Sequence, residues 1–360
     1  MSFTTFFADK PRVAAKFDRN TLLYAVVGLH VGIAAMIGLQ LGNTTFIQTT
    51  GPLMVLGTTL TPLFLLVLMF WHFVYLAIVV QPARPIHRFA ADLRGLATDP
   101  SRLLNGTLSM MAVIFFFSSF SYVKDQIPHI QPFIWDSYFA QLDRSLHFGR
   151  LPHKWLMPVL GTPLITTVLN AAYHLWFFIM YFLLFMASFD QRSRAASVAF
   201  LFAMVLCFAL GGNVLAIVFS SAGPVYYQEM GFGPDYVALV DTLHRFNEIS
   251  PIWALDVQEK LLDSYYSDGA VKGISAMPSM HVSSTVVMTC YLFTWRRWAG
   301  WLMVGFSALI LLGSVQLAWH YAVDGYLAIL VALGCWWLAC RLSNRLLPTA
   351  EPRPNRDTSA

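Results

Sequence analysis

The sequence predicts an all-α protein, a polytopic membrane bundle of about eight transmembrane helices. Of its 360 residues, 57% are apolar and only 12% are charged, so apolar side chains exceed what one water-soluble core usually hides. A helix that spans a bilayer needs about 20 mostly apolar residues, and more polar segments separate eight such stretches. We place these spans at residues 21–42, 52–80, 106–123, 163–188, 195–221, 276–294, 298–318 and 320–341.

The basic residues predict how the spans are oriented. Eight spans put both termini on one side of the membrane. If that side is the cytoplasm, the inner segments hold 16 of the 23 Lys and Arg residues. An excess of basic charge on short cytoplasmic loops is the usual orienting signal. We therefore expect an integral protein of a bacterial inner or plasma membrane with both termini in the cytoplasm.

The chain divides into three parts by hydropathy and composition. Residues 1–105 are predicted to form a cytoplasmic N-terminus and two added transmembrane helices, and residues 106–347 a six-helix membrane domain. The Pro-containing end, residues 348–360, has the composition of a disordered cytoplasmic tail. The four cysteines lie in apolar stretches and are expected to be small buried hydrophobes. No nucleic-acid partner is expected.

Two outer segments are long, residues 124–162 and 222–275, and loops of this length in a compact protein are usually functional. In the first, aromatic and Leu side chains at helical spacing predict an amphipathic helix in the membrane interface. Its apolar side would carry Trp135, Tyr138, Phe139, Leu142 and Leu146, and its polar side Asp136, Asp143 and Arg144.

The stretch from Gly273 to His281 leads into the sixth span. Pro278 suits a first helical turn, because its missing N–H would have no helical partner there. The free N–H groups at such a helix start, with the hydroxyls of Ser275 and Ser279, favour a phosphate-like anion. His281 would lie in this first turn.

A second element, His320 and Asp324, lies at the start of the eighth span. Residues four apart share one helix face, so the carboxylate can hold the imidazole. Asp324 is the only acid within the eight predicted spans. An acid at the centre of a span costs roughly 2.5 to 3.5 kcal/mol, so it is expected to have a partner and a task.

The topology brings both histidines to the same membrane face, because the sixth span runs inward and the seventh returns outward. A neutral imidazole can attack phosphorus and form a phosphohistidine. His320 would be the nucleophile, Asp324 would fix its tautomer, and His281 would donate and accept the proton. This cycle needs no metal and no cofactor, and we predict none.

Met277 to His281 and His320 to Asp324 together resemble the Pro-Ser-x-His and His-x3-Asp motifs of the membrane type 2 phosphatidic acid phosphatase superfamily. Within it they resemble the inositol phosphorylceramide synthase branch. The resemblance implies a six-helix catalytic core over about residues 106–341, with His320 as nucleophile, Asp324 as its orienter and His281 as acid and base. Residues 222–227 and the pair Tyr173 and His174 show a weaker similarity to this branch.

The sequence departs from the family pattern at three positions. Met280 stands where many lipid phosphatases of the superfamily have Gly, as is common in the synthase-like branch. Ser314 replaces an Arg six residues before the nucleophile, and Gln131 replaces the Arg of a Lys-x6-Arg-Pro phosphate clamp. Other side chains are therefore expected to bind phosphate, and the candidates are Ser275, Ser279, Lys124, Lys272, Tyr226, Tyr227 and His174.

We expect a metal-independent enzyme that acts on a lipid phosphate or phospholipid at the extracytoplasmic face through a phosphohistidine. A phosphotransferase with an alcohol acceptor such as ceramide or inositol is favoured over a lipid phosphatase, for which water is the acceptor. The alternative from another class is a proton-coupled transporter, in which the intramembrane His and Asp would relay protons. Such a transporter predicts inverted repeats and broken spans in matching halves, and the sequence shows neither.

Overall fold

The computed structural model describes residues 20–42, 46–190, 194–267 and 273–346, most of which are helical, and there is no strand among them. It therefore confirms the predicted all-α fold. Two π-helical segments among the described residues, Leu76–Val80 and Phe208–Leu215, interrupt the α-helices. The helices are α1 (Thr21–Leu41), α2 (Phe46–Tyr75), α3 (Pro85–Ala97), α4 (Pro100–Ile130), α5 (Asp136–Leu146), α6 (Pro152–Leu160), α7 (Pro163–Phe189), α8 (Arg194–Cys207), α9 (Ala216–Val218), α10 (Val237–Asn247), α11 (Trp253–Tyr266), α12 (Met280–Trp295), α13 (Arg297–Gln316) and α14 (Ala322–Leu346).

Seven helical segments among the described residues are long and apolar enough to cross a membrane. The remaining predicted span, 276–294, corresponds to α12, which has only 16 residues. At 1.5 Å per residue this helix is roughly 24 Å long, slightly less than the hydrocarbon core of a bilayer. It is short because Gly273 to Ser279 are not helical. The seven segments are Thr21–Leu41, Leu53–Val80, Pro100–Ile130, Pro163–Phe189, Ala195–Val218, Arg297–Gln316 and Ala322–Arg345.

The centre of the bundle is built from α4, α7, α8, α12 and α14, whose apolar side chains form one continuous core. Phe200 of α8 stacks on Tyr291 of α12 with their ring centroids 4.3 Å apart. The helices α12 and α13 form an antiparallel hairpin that turns at Arg296. One end of this hairpin therefore lies at the turn, and the other end carries His281 and the residues that follow α13.

Buried polar contacts tie the first helix to this core. The His30 imidazole lies 2.8 Å from Ser119 Oγ of α4 and 2.9 Å from Asn213 Oδ1 of the second π-helical segment. Asn20, just before α1, donates to Ser109 of α4 at 2.7 Å. Burying such groups is costly unless they are hydrogen-bonded, so these pairs fix how α1 packs. The division at residue 105 remains a prediction.

A layer of shorter helices covers the end of the bundle that carries the histidines. It consists of α5, α6, α10 and α11, and its core joins Phe139, Leu243 and Leu255 to Leu317 and Tyr321. This layer corresponds to the two long segments that the sequence analysis singled out. Its side chains pack against the connection on which His320 lies.

The predicted helix over residues 135–146 is present as α5, but its predicted polar face is wrong. Asp136 and Asp143 are 0% and 1% exposed, whereas Tyr138 and Leu146 are 53% and 55% exposed. The two carboxylates point inward because each accepts hydrogen bonds from backbone N–H groups of distant loops. Of the three predicted polar residues, only Arg144 is partly exposed as expected, and it pairs with Asp235 at 2.6 Å.

Candidate active site

The two histidines of the sequence motifs meet at one end of the bundle. Ser279 is the N-cap of α12, where its hydroxyl accepts from the Val282 N–H at 3.5 Å, and His281 follows in the first turn. His320 lies in the connection between α13 and α14. The centroids of the two imidazole rings are 6.2 Å apart, at an interplanar angle of 60°. A phosphorus centre between the rings would be within reach of both.

The carboxylate of Asp324 holds one side of His320. Nδ1 of His320 lies 3.3 Å from Asp324 Oδ2, and the Tyr321 N–H donates to the same oxygen at 3.0 Å. Asp324 is fully buried, and an ionised carboxylate accepts the Nδ1 proton. The other ring nitrogen of His320, Nε2, then carries the lone pair.

The charge state of His320 follows from its burial. Burial, and to a smaller extent the nearby Lys124 ammonium, lowers the pKa of the His320 imidazole to about 3. The ring is therefore neutral at physiological pH, which is the form that can act as a nucleophile.

Backbone hydrogen bonds connect the two motifs. The Ser279 N–H donates to the Asp324 carbonyl at 3.2 Å. The N–H groups of Trp319 and His320 both donate to the Ser314 carbonyl, at 3.0 and 3.1 Å. Ala318 has a φ of +59°, a conformation that non-Gly residues rarely adopt. Main-chain contacts thus fix the turn before His320.

Asp136 of α5 is a second buried carboxylate at this end of the bundle. It accepts from the N–H groups of Ala222 and Gly223 at 3.0 and 2.8 Å, and from the Tyr321 hydroxyl at 2.7 Å. Burial raises the pKa of Asp136, and these three donors oppose the shift. The carboxylate thereby joins the loop that begins at Ala222 to the residue next to His320.

Asp143, also from α5, caps the helix that carries Asp324. Its carboxylate accepts from the N–H groups of Ala322 and Val323 at 2.8 and 3.0 Å. The first N–H groups of a helix have no partner within that helix, and a carboxylate there also interacts favourably with the helix dipole. Tyr321, directly before Ala322, has no side chain that usually caps a helix. In the sequence, only this feature indicates that another segment supplies the cap.

The loop that starts at Ala222 packs directly on the connection that carries His320. Gly223 has a φ of +104°, and an added Cβ would lie 2.8 Å from the Trp319 carbonyl oxygen. The Val225 N–H donates to the Ala318 carbonyl at 2.9 Å. Only glycine suits this close approach and this backbone conformation.

A cavity of about 440 Å³ opens in front of the histidines, a size typical of small-molecule sites. Most of its walls are apolar. Asp324 is not part of the lining and lies behind His320. The cavity is lined by Phe120, Ser121, Lys124, Tyr173, His174, Trp176, Phe177, Phe208, Gly212, Ala222, Tyr226, Val257, Leu261, Gly273, Ile274, Ser275, Pro278, Met280, His281, Trp319 and His320.

Aromatic rings fix the orientation of His281. The Tyr173 ring stacks on its imidazole at 4.1 Å with an interplanar angle of 24°, and Trp176 lies 4.1 Å away on a tilted plane. Among the described residues, the imidazole nitrogens of His281 have no hydrogen-bond partner. The ring is therefore held by packing, and its nitrogens are available to a group in the cavity.

The other predicted contact residues fall into two groups. Ser275, Lys124, Tyr226 and His174 line the cavity, whereas Ser279 and Tyr227 are not among its lining residues. Two of the lining residues already have partners, since the Tyr226 hydroxyl donates to the Gln258 carbonyl at 3.0 Å and His174 Nδ1 lies 2.8 Å from the Asn170 carbonyl. Lys272 lies outside the described residues. Contact of any of these side chains with a substrate stays a prediction.

The positive charge of the cavity is small. Lys124 is the only Lys or Arg among the described lining residues. Ser314, at the position of the family's Arg, is fully buried, and its hydroxyl donates to the Leu311 carbonyl. Gln131 lies outside the lining, and its carbonyl accepts from the Ser220 hydroxyl at 2.8 Å. No group of three or more His, Cys, Asp and Glu side chains in the described part of the chain could hold a metal ion.

Two glycines that the sequence analysis did not identify shape the part of the cavity near Met280. Gly211 and Gly212 belong to the π-helical segment Phe208–Leu215, and such segments occur frequently at functional sites. An added Cβ on Gly212 would lie 2.6 Å from the Phe120 ring and 2.7 Å from Met280 Sδ. The long side chain of Met280 thus packs where the glycines leave room.

Gly212→Ala is expected to destabilise the protein by about 1 to 3 kcal/mol, as overpacking of a dense core usually does. Thermal unfolding in detergent measures this. Gly334→Ala is the matched control, because an added Cβ at Gly334 meets no atom within 4 Å. Equal melting temperatures for the two variants would contradict the tight packing.

Comparison with known protein families gives a match to this chain. The family model described as PAP2 superfamily matches residues 137–338, which is more than half of the chain and contains both histidines and Asp324. No curated protein and no solved structure gives a significant match. The match does not distinguish the inositol phosphorylceramide synthase branch. On the family model, the chain belongs to the PAP2 superfamily, whose members are phosphatases and phosphotransferases of lipid phosphates.

Proposed function

We propose that the protein is a phosphotransferase that moves a phosphoryl-containing group from a membrane phosphodiester to an alcohol through a phosphohistidine. The observation that carries this proposal is the pair His320 and Asp324 with His281 at 6.2 Å across one cavity. Membership in a superfamily of enzymes favours this function over a proton-coupled transporter. The excess of Lys and Arg in the predicted inner segments supports an extracytoplasmic site.

In the first step, Nε2 of His320 attacks phosphorus, and the bond from phosphorus to the departing oxygen breaks. Protonated His281 gives its proton to that oxygen, so the leaving group departs as an alcohol. Asp324 stabilises the positive charge that develops on His320. The products of this half-reaction are a phosphohistidine, a released alcohol and a neutral His281.

In the second step, neutral His281 takes the proton of the acceptor hydroxyl while the acceptor oxygen attacks phosphorus. The bond from phosphorus to Nε2 breaks, and His320 returns to the neutral form. An alcohol acceptor gives a new phosphodiester, and water gives hydrolysis. His281 ends protonated, as it began, so the cycle closes without a metal.

The charge of the cavity supports a diester donor. A phosphodiester carries one negative charge, whereas a phosphomonoester carries nearly two at neutral pH. Lys124 is the only Lys or Arg among the described lining residues, and Ser314 stands where the family pattern has Arg. A weakly positive cavity suits the monoanion better than the dianion. The inositol phosphorylceramide synthase-like activity, with ceramide or inositol as acceptor, is one form of this reaction.

The purified protein should be tested with phosphatidylinositol and phosphatidylglycerol as diesters and phosphatidic acid as monoester, each with and without ceramide or inositol. Mass spectrometry should identify both products of each reaction. We expect the rate with a diester to rise when an alcohol acceptor is added. Turnover of phosphatidic acid alone, with phosphate release in ¹⁸O-labelled water, would instead identify a lipid phosphatase.

His281→Ala is expected to show a loss of activity that depends on the leaving group. With a poor leaving group the rate should fall about 10² to 10⁴-fold, as is usual when a general acid is removed. A nitrophenyl ester of the same phosphodiester does not need a proton, so its phosphoenzyme should form much faster than that of the alkyl ester. Equal losses with both esters would exclude His281 as the acid.

A further inference from the structure

A second large cavity lies at the opposite end of the α12–α13 hairpin. Its volume is about 890 Å³, and it forms a groove between α7 and α13, with Trp71 of α2 at its edge. From His281 to Arg296 the chain follows α12 for roughly 22 Å, so this groove is separate from the candidate active site. We call it the inner groove.

The inner groove is apolar along its length and basic at one end. Arg296 is the only charged residue among its described lining residues, and none of them is an acid. The Arg296 side chain is exposed and makes no ion pair within the described part of the chain. Trp295 and Trp298 flank Arg296 in the chain and line the groove with Trp71, and tryptophan is enriched where the hydrocarbon meets the headgroups.

The length of the inner groove matches a lipid chain. It follows α13 from Trp298 to Leu309, a rise of roughly 16 Å at 1.5 Å per residue. The wall residues Leu302 and Leu309 are 69% and 42% exposed in the absence of a bilayer. A hydrocarbon chain can cover this surface while its headgroup stays at the level of Arg296.

We propose that the inner groove binds an anionic phospholipid, with its phosphate on Arg296 and an acyl chain along α13. Basic pockets between transmembrane helices are known to favour anionic headgroups. A neutral lipid would leave the Arg296 charge without a counterion. This site does not depend on the proposed reaction, because none of its residues belongs to the catalytic cavity.

Native mass spectrometry of the full chain in detergent tests this proposal, with phosphatidylglycerol and phosphatidylcholine of identical acyl chains as probes. We expect phosphatidylglycerol to bind at least about fivefold more tightly, given the contribution of one basic residue near a membrane surface. Arg296→Gln should abolish this preference. Arg297→Gln is the matched control, because Arg297 is adjacent but outside the lining, and it should keep the preference.

A second pair of variants tests the apolar part of the inner groove. An added Cβ meets no atom within 4 Å at Gly305, which lines the groove, or at Gly334, which does not. Gly305→Phe should weaken the binding of both lipids about tenfold, and Gly334→Phe should not. The proposal would be overturned if Gly305→Phe bound both lipids as tightly as the wild type. It would also be overturned if Arg296→Gln and Arg297→Gln lost the preference for phosphatidylglycerol equally, or if inorganic phosphate displaced the lipid. A dimer that disappears in Gly305→Phe would identify a second copy of the chain as the occupant instead.

Discussion

His320→Ala is expected to abolish turnover of the lipid phosphoester, with a loss of at least about 10³-fold, because it removes the proposed nucleophile. Asp324→Asn should cause a loss of similar size. The amide would present an N–H₂ group to His320 and favour the tautomer in which Nε2 carries the proton and cannot attack. Product formation measured by mass spectrometry, together with trapping of the phosphoenzyme, checks both variants.

Two matched controls separate these losses from damage to the fold. His129 is exposed near the C-terminal end of α4, and Asp241 is exposed on α10. His129→Ala and Asp241→Asn should therefore keep full activity. Circular dichroism should show native helix content in all four proteins. Full activity of folded His320→Ala would exclude the proposed mechanism. Inhibition of the wild type by EDTA would show that the reaction needs a metal.

Asp136→Ala is expected to destabilise the protein by about 3 to 5 kcal/mol. The substitution leaves the N–H groups of Ala222 and Gly223 and the Tyr321 hydroxyl without their acceptor, and each buried polar group without a partner costs about 1 to 3 kcal/mol. This is a large part of the stability of an ordinary domain. Asp136→Asn keeps one acceptor oxygen and should lose less.

Thermal unfolding in detergent measures this loss, with Asp241→Ala as the control because that carboxylate is exposed. A melting temperature of Asp136→Ala equal to that of the control would contradict a structural role of the carboxylate. At a temperature where Asp136→Ala remains folded, its turnover should also fall, since Tyr321 is adjacent to His320.

The cap at Asp143 adds a dependence on pH. Burial raises the pKa of Asp143 to about 6 in the folded protein, well above the value of about 3.9 for an exposed Asp. Between these values the folded state binds the proton more tightly, so the contribution of this group to the free energy of unfolding decreases as pH rises from about 4 to 6. Wild-type stability relative to Asp143→Asn should therefore fall over this interval and stay constant above it.

The fold and the meeting of the two motifs could be predicted from the sequence. Long apolar stretches identify most spans directly, and the number of spans between His281 and His320 puts both at one face. The four-residue spacing of His320 and Asp324 predicts their contact, which the structure shows at 3.3 Å. The spans and the shared end depend on local composition and topology, but His320 contacts Asp324 from the connection before α14 and not from the predicted common helix face.

The buried carboxylates of α5 could not be predicted in the same way. Asp136 is 86 residues from Ala222, and Asp143 is 179 residues from Ala322. Their partners are backbone N–H groups, which carry no side-chain signal in the sequence. An acid on a helix of mixed character is usually solvated, so the pattern of α5 favoured the wrong face. The packing of Met280 on Gly211 and Gly212 also depends on segments far apart in the chain.

The hydrogen bond from Ser279 to the Asp324 carbonyl restricts which changes of length the hairpin of α12 and α13 can accept. Each residue added to a helix rotates everything after it by about 100°. A single insertion within α13 would therefore turn Trp319 and His320 away from the cavity and separate Ser279 from its acceptor. Chimeric enzymes should accordingly tolerate exchange of the segment from Ser279 to Asp324 as one cassette far better than exchange of either helix alone.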